Sequence, residues 1–385
     1  MKKRISAALI MLYLFPWGIQ FMVSNFLPVY VASLPFANEE TVGTVTAIGA
    51  VVTVFAQFIW TKIADKVKRK NNVLSLTLLM LAGFSALFFI KGINLVMLYV
   101  FVVFFYSCYM VHMPLIDTIN AENTAITGHS FSHFRSFASF GYAVMGILFA
   151  FIPKDGANSI FSYIIILAFA SVVASSLVGS DSQPKPKQEK NSKGVMNKAF
   201  VLYLIFTVIL YISSSMINTF FPVYYSSAEG IGGSVEMYGV IITVGTFIEW
   251  GVMILFGKIK KEINYKYVFM IIVVSVILKS GIIYLFDNKY LVMLTVIFHG
   301  IWNGLLWSVS TPYMKKIVPE GTLTSASGMW SIAAYGAGTF TGSFLGGQLA
   351  TALGIRTIFL IICFMMAILT VLCPFLFPKE HKIIE

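Results

Sequence analysis

Charge is scarce in this sequence. Only 11% of its 385 residues are Asp, Glu, Lys or Arg, against 58% that are apolar, and the mean hydropathy is +0.85. No water-soluble globular domain tolerates that balance, so a soluble enzyme is excluded. Strict alternation is missing too. The apolar runs are continuous instead of repeating with period two, which excludes the strands of a membrane barrel. Cysteine is nearly absent: Cys108, Cys363 and Cys373 all lie within apolar stretches, and neither a disulfide framework nor a metal cluster follows from them. There is no phosphate-cradling glycine loop, nucleophile elbow or metal-ligand spacing. With no set of nucleophile, base and oxyanion donor to assemble, neither an enzyme nor a cofactor or metal is expected. The chain opens on Lys2, Lys3 and Arg4 and then an apolar run, as a signal peptide does. It lacks a small-residue cleavage site as far as about Leu34, however, and reads as a first span.

What the sequence has in abundance is long apolar runs, at about 8–33, 43–61, 73–91, 94–114, 134–153, 159–179, 199–226, 238–257, 267–286, 290–311, 325–350 and 355–377. Each is near the length of about 20 residues that carries a helix across a bilayer, and there are twelve. An even number returns the chain to the side it started from. Lysine and arginine decide which side that is. Outer loops hold Lys91, Lys154, Lys289 and Arg356, spans hold Arg135 and Lys279, and the other 21 of the 27 basic residues share the side of the termini. That bias predicts both termini in the cytoplasm. The formal charge of +11 is therefore a matter of orientation in the bilayer, and no nucleic-acid partner is expected.

The one long polar stretch, SDSQPKPKQEKNSK, marks a flexible cytoplasmic linker at 180–198 between an N-terminal six-helix half at 1–179 and a C-terminal one at 199–385. The halves repeat in the same direction. Phe26, Pro28, Val29, Tyr30 and Ser33 match Phe220, Pro222, Val223, Tyr224 and Ser227 at an offset of 194. Gly43, Gly49, Lys62 and Ile63 then match Gly239, Gly245, Lys258 and Ile259 at 196. A parallel repeat implies a pseudo-twofold axis along the membrane normal, with a cavity near the midplane between the halves.

After the second span the chain reads TKIADKVKRKNN, which resembles the Gly-x-x-x-Asp-Arg/Lys-x-Gly-Arg-Arg/Lys loop of the major facilitator superfamily. Asp65, Lys66, Arg69 and Lys70 match, while Thr61 and Lys68 stand where glycines are usual. The second-half loop keeps Gly257 and has Lys261 at the acidic position. The resemblance covers nearly the whole chain. It implies an all-α membrane protein with twelve transmembrane helices in two parallel-repeat six-helix halves, set in the bacterial cytoplasmic membrane. It further implies that Asp65 caps a neighbouring helix and pairs with basic residues of the loop, such as Lys66 and Arg69, stabilising one end state of a transport cycle. Without the resemblance, these charges only set orientation.

Ionisable groups within spans cost a few kcal/mol unless paired or facing water, which makes them the functional candidates. Here they are Asp117, Arg135, Glu249, Lys279 and His299, with Glu122 and His133 at the borders. The stretch Met113 to Asp117, with Phe134 to Tyr142, resembles the substrate-binding stretch of the lactose permease type of sugar:proton symporter and its phenylpropionate and nucleoside permease relatives. In that pattern an acidic residue pairs with an arginine 18 residues later, and an aromatic seven residues beyond stacks on the ring, which fits Asp117, Arg135 and Tyr142. The chemistry is sound on its own terms, since a carboxylate accepts hydroxyl protons, a guanidinium donates a planar fork, and an aromatic covers an apolar sugar or base face. The plain alternatives are a snorkelling Arg135, a helix-end Asp117 and a packing Tyr142.

In the second half, Glu249, Lys279 and His299 match the family's acidic, basic and histidine positions for proton coupling. A fixed Glu249–Lys279 ion pair and a packing histidine are the structural alternatives. Where the sugar symporters carry a further carboxylate this chain has Trp302, which leaves Glu249 as the leading proton carrier. Glycines 336, 338, 342, 346 and 347, with Gly141 and Gly146, predict close helix approach, and Pro28 and Pro222 predict kinks or helix ends. The function expected is proton-coupled symport of a small polar organic solute, a sugar, glycoside or nucleoside, by alternating access. The partners are that solute, the proton and the lipid bilayer. An exporter of amphipathic compounds or sugars, and a transport-inactive sensor or scaffold, stay open.

Overall fold

The computed structural model describes residues 2–129, 131–151, 158–178, 194–259, 264–320 and 322–377, and within them every regular element is helical. Most of the expected linker lies outside the described residues, as do Lys154 and Lys261. Among the described residues, nine helices are long and apolar enough to cross a membrane. The chain divides into two compact units, Met1–Gln188 and Glu189–Glu385.

The first unit is built around α1 (Lys2–Ala32), which at 1.5 Å per residue is about 46 Å long. Its apolar residues are not confined to one stripe, and it buries Leu9, Leu12, Ile19, Phe21 and Met22 completely. Asn38 starts α2 (Glu39–Lys66), its side chain accepting from the Thr41 amide at 2.9 Å in a capping box. Next come α3 (Lys70–Ala86) and, capped by Asn94, α4 (Leu95–Tyr106). They are followed by α5 (His112–Thr127), α6 (Phe131–Phe151) and α7 (Ser159–Leu177). Helices α6 and α7 pack on α1, and α3 packs on α7.

The run at 94–114, expected as one span, is cut between α4 and α5. Pro114 is the reason: in a continuous helix its ring meets the carbonyl four residues back, that of Met110. The chain escapes through a turn in which Met110 takes φ +62°, a left-handed value. Two released carbonyls are satisfied from α2. Trp60 Nε1 donates to Ser107 O at 2.9 Å and Gln57 Nε2 to Met110 O at 3.0 Å.

The second unit comprises α8 (Lys198–Ser226), α9 (Val235–Gly257), α10 (Tyr265–Leu285) and the nearly continuous pair α11 (Lys289–Leu294) and α12 (Val296–Ile317). The run at 325–350 is likewise not one regular helix. It is α13 (Leu323–Ser331), a π-helical segment Ile332–Gly338 and α14 (Thr339–Leu353). The last helix is α15 (Ile355–Leu376).

Glycines set the closest approaches, as their positions predicted. A Cβ on Gly342 falls 2.3 Å from Ile212 O of α8, one on Gly346 2.8 Å from the Phe220 ring, and one on Gly338 2.6 Å from Tyr211. In the first unit a Cβ on Gly141 of α6 falls 2.6 Å from Leu14 O of α1. Pro28 and Pro222 sit inside α1 and α8, which run on to Ala32 and Ser226, so neither ends its helix. Large apolar side chains such as Val96, Phe151, Val371 and Phe375 point outward and are at least 69% exposed, a surface suited to hydrocarbon and not to water.

Candidate functional site

In the first unit Tyr13 and Trp17 stand one turn apart on α1 and face α5 and α6. Arg135 Nε lies 3.4 Å from Asp117 Oδ1, with each side chain about a third exposed (37% and 35%). Tyr13 donates its hydroxyl proton to the same carboxylate oxygen at 2.7 Å. Asn120, one turn beyond Asp117 on α5, donates to the Tyr13 oxygen and to Phe131 O, both at 3.0 Å. The Arg135 guanidinium carbon sits 4.7 Å from the Trp17 ring centre, a cation–π geometry. Among the described residues that guanidinium makes no hydrogen bond beyond its pairing with Asp117, so most of its donor fork is open. The expected Asp117–Arg135 pair is thus formed.

Tyr142 follows on the same helix. Two turns along α6, its hydroxyl accepts from Asn25 Nδ2 at 2.8 Å and its ring meets Phe21 edge-on at 5.2 Å. It is thus tied to α1, and it packs against the buried cluster that includes Tyr13 and Trp17.

Sequence reasoning missed Tyr13, Trp17, Asn120 and His112. The first three are ordinary span residues with no charge to mark them. His112 opens α5 almost fully buried, with its ring edge-on to Trp17 at 5.5 Å and neither ring nitrogen hydrogen-bonded among the described residues. Its presence inside an apolar run was the signal that could have found it.

In the second unit Lys279 of α10 is 2% exposed. Its Nζ lies 3.2 Å from His299 Nδ1 and 5.0 Å from the Phe221 ring centre, and His299 Nε2 lies 3.0 Å from the Asn303 amide nitrogen. This chain has two self-consistent proton arrangements. With an amine at Lys279, Nδ1–H donates to it and the Asn303 amide donates to Nε2. With an ammonium, the imidazole proton moves to Nε2 and Asn303 turns to present its oxygen. Glu249 does not join this chain. The Glu249–Lys279 ion pair considered from sequence is absent, and among the described residues the carboxylate of Glu249 has no hydrogen-bond or ion-pair partner. Its backbone carbonyl abuts Gly304 of α12, where a Cβ would stand 2.8 Å away.

The last turn of α2 and the short loop to α3 leave Asp65, Lys66 and Arg69 exposed. Among the described residues Asp65 caps no helix and forms no ion pair. Lys70 does the pairing instead: it is buried and bonded to Glu122 of α5. Beside it, Asn71 donates to Ser175 O at 2.8 Å and to Val178 O, tying α3 to the end of α7.

The sequence profile of the MFS_1 like family matches residues 7–361, nearly the whole chain. The protein belongs to this family. As an MFS_1-like protein it is 22% identical over 375 residues to the uncharacterized transporter YwbF of Bacillus subtilis (strain 168), a match covering 93% of this chain and 90% of YwbF. Its fold is similar to that of a mutant form of the nucleoside transporter NupG, with TM-score 0.83 and 17% identity over 97% of this chain and all of NupG (100%). It is also similar to the peptide transporter POT in complex with sulfate, with TM-score 0.77 and 11% identity over 98% of this chain and 99% of that one. The MFS_1-like chain is an integral membrane transporter and not an enzyme.

Proposed function

We propose that this transporter is a proton-coupled symporter of a small polar organic solute, a sugar, glycoside or nucleoside, working by alternating access. It sits in the bacterial cytoplasmic membrane with both termini in the cytoplasm. The observation that carries the solute class is the cluster Asp117, Arg135, Tyr13 and Trp17. It sets hydroxyl acceptors and a guanidinium fork beside an indole face, the complement of a neutral hydroxylated ring. Similarity of fold to a nucleoside transporter supports the same class. Glu249 is the proton carrier in this reading, an intramembrane carboxylate with no fixed counter-charge, while the Lys279–His299–Asn303 chain adjusts its protons alongside.

The test is made in reconstituted vesicles with uridine and with lactose. Glu249→Gln mimics the protonated acid, so it abolishes uphill uptake driven by an imposed pH gradient and retains counterflow, which needs no proton release. Full accumulation by the glutamine variant removes Glu249 as the carrier. Absence of any flux of either solute in the unmodified protein removes the solute class.

A further inference from the structure

On the surface of the second unit, one side of α10 lies open. Tyr267, Ile271, Val274 and Leu278 follow one another at spacings of four, three and four residues, a single helical stripe about 17 Å long. Phe298 and Ile301 of α12 form the opposite wall, and the groove between them has a volume of about 440 Å³. Its lining is almost wholly apolar. Ser275 in its floor donates its proton to Ile271 O of its own helix at 2.8 Å.

Charge gathers at one end of these two helices. The start of α10 meets the end of α12, with Lys316 Nζ 5.8 Å from the Tyr265 ring centre and the Tyr265 and Tyr313 rings 5.2 Å apart. Lys315 is exposed and stands about four turns beyond Ile301 on the same face of α12. Lys266 lies in the first turn of α10, beside Tyr267, which is 60% exposed and of the residue type that favours headgroup depth. Against these three cations, the described residues at the two helix ends include one carboxylate, Glu320. A second surface groove, lined by Tyr99, Val100, Val103 and Phe104 and about 230 Å³ in volume, has no basic end. No Lys, Arg, Asp or Glu occurs between Lys91 and Asp117.

We propose that the groove between α10 and α12 holds one anionic phospholipid, an acyl chain along the stripe and the phosphate headgroup at Lys315 and Lys316. A second helix is a poor occupant. Helices approach closely in lipid through small residues, and this stripe presents Tyr, Ile, Val and Leu instead. A hydrocarbon chain is thin enough to lie along it. Lipid tails are already out of water, so the groove supplies contact and position without a hydrophobic gain, and the lysines select which lipid is held. On the orientation proposed above, that lipid belongs to the cytoplasmic leaflet, where anionic headgroups are found. The site involves neither Arg135 nor Glu249, so its success or failure leaves the solute and coupling roles untouched.

Delipidated full-length protein in detergent is offered dioleoyl phosphatidylglycerol or dioleoyl phosphatidylcholine, and bound lipid is counted by native mass spectrometry. The chains are identical, so any difference reads the headgroup. Phosphatidylglycerol is held at least about tenfold more tightly, in line with a factor of about five for each of two lysines. The double variant Lys315→Gln, Lys316→Gln loses that preference. Val274→Trp, which fills the groove from an exposed position, displaces phosphatidylglycerol, whereas Val103→Trp in the second groove does not. Equal retention of the two lipids by the unmodified protein overturns the proposal, as does undiminished retention in folded Val274→Trp. Inorganic phosphate that displaces the lipid at equal concentration reduces the site to anion binding at lysines, and disulfide cross-linking of two Val274→Cys chains puts a second copy in the groove. Either result rejects the lipid.

Discussion

At Arg135 the geometry requires a plane of donors and not merely a positive charge. One nitrogen faces Asp117, the delocalised face lies on Trp17, and the rest of the fork is open. Lysine offers a point charge on a flexible stem, with no plane to stack. Arg135→Lys is therefore expected to bind solute as poorly as Arg135→Ala, at least about tenfold weaker than the parent, with unchanged thermal unfolding in detergent. Parent-like affinity of the lysine variant makes Arg135 an anchor only. The pair was legible in the sequence because charges inside apolar runs announce themselves. The hydroxyl of Tyr13 was not, because nothing about one tyrosine among the 18 in the chain reveals that a fold will bring its oxygen 2.7 Å from a carboxylate 104 positions away. Glu249 is the reverse case: its chemistry was legible, but its pairing with Lys279 depended on side-chain reach across two helices and is not formed.

Individual helices show where spacing succeeds as a guide and where local stereochemistry overrides it. The glycines of α14 were legible as a close-packing face because their four-residue period repeats one helical face. Their energetic weight is testable by contrast. Gly342→Ala places a Cβ 2.3 Å from the Ile212 carbonyl, so α8 and α14 must part, and the variant is expected to lose about 1–3 kcal/mol in thermal unfolding. Gly83 is the control, in the last turn of α3 with nothing within 4 Å of the added atom. Gly83→Ala is expected to gain about 0.5–1 kcal/mol from helix propensity alone. An equal response of the two positions removes steric contact as the cause. The interruption of the fourth run was written into Pro114, yet hydropathy averages over such a residue, and the averaged run reads as a continuous span. The repeat, by contrast, survives into detail. Ser33 Oγ donates to Tyr30 O at the end of α1 (2.7 Å), and Ser227 Oγ donates to Tyr224 O at the end of α8 (3.3 Å), the same closure at the offset the sequence displays.

Across the molecule, Asp65 at the end of α2 is where cycling can be tested apart from binding. Asp65 is exposed and unpaired among the described residues, whereas the neighbouring Lys70–Glu122 pair is buried and holds α3 to α5. If Asp65 finds its partner only in another state of the cycle, Asp65→Asn shifts populations without touching the solute site. The expected outcome is a several-fold fall in uptake at unchanged ligand affinity, measured on one preparation by flux and by ligand-induced thermal shift. Equal losses in both readouts place Asp65 in the site or in folding instead. The cut in the fourth run bears on how such a molecule is made. Helix α4, with 12 residues, is about 18 Å long and cannot cross a hydrocarbon layer of about 30 Å by itself. The backbone oxygens freed at Ser107 and Met110 find their donors on Trp60 and Gln57. This segment is therefore no autonomous insertion unit: left alone in lipid, it strands the Ser107 carbonyl at a cost of several kcal/mol and leaves Met110 O only a long bond from Met113 N (3.4 Å). Because α2 precedes it in the chain, both donors are already embedded when the broken segment leaves the ribosome. A permuted chain in which α2 is synthesised last loses that order, and biogenesis of its first unit stalls at the step where α4 and α5 enter the bilayer.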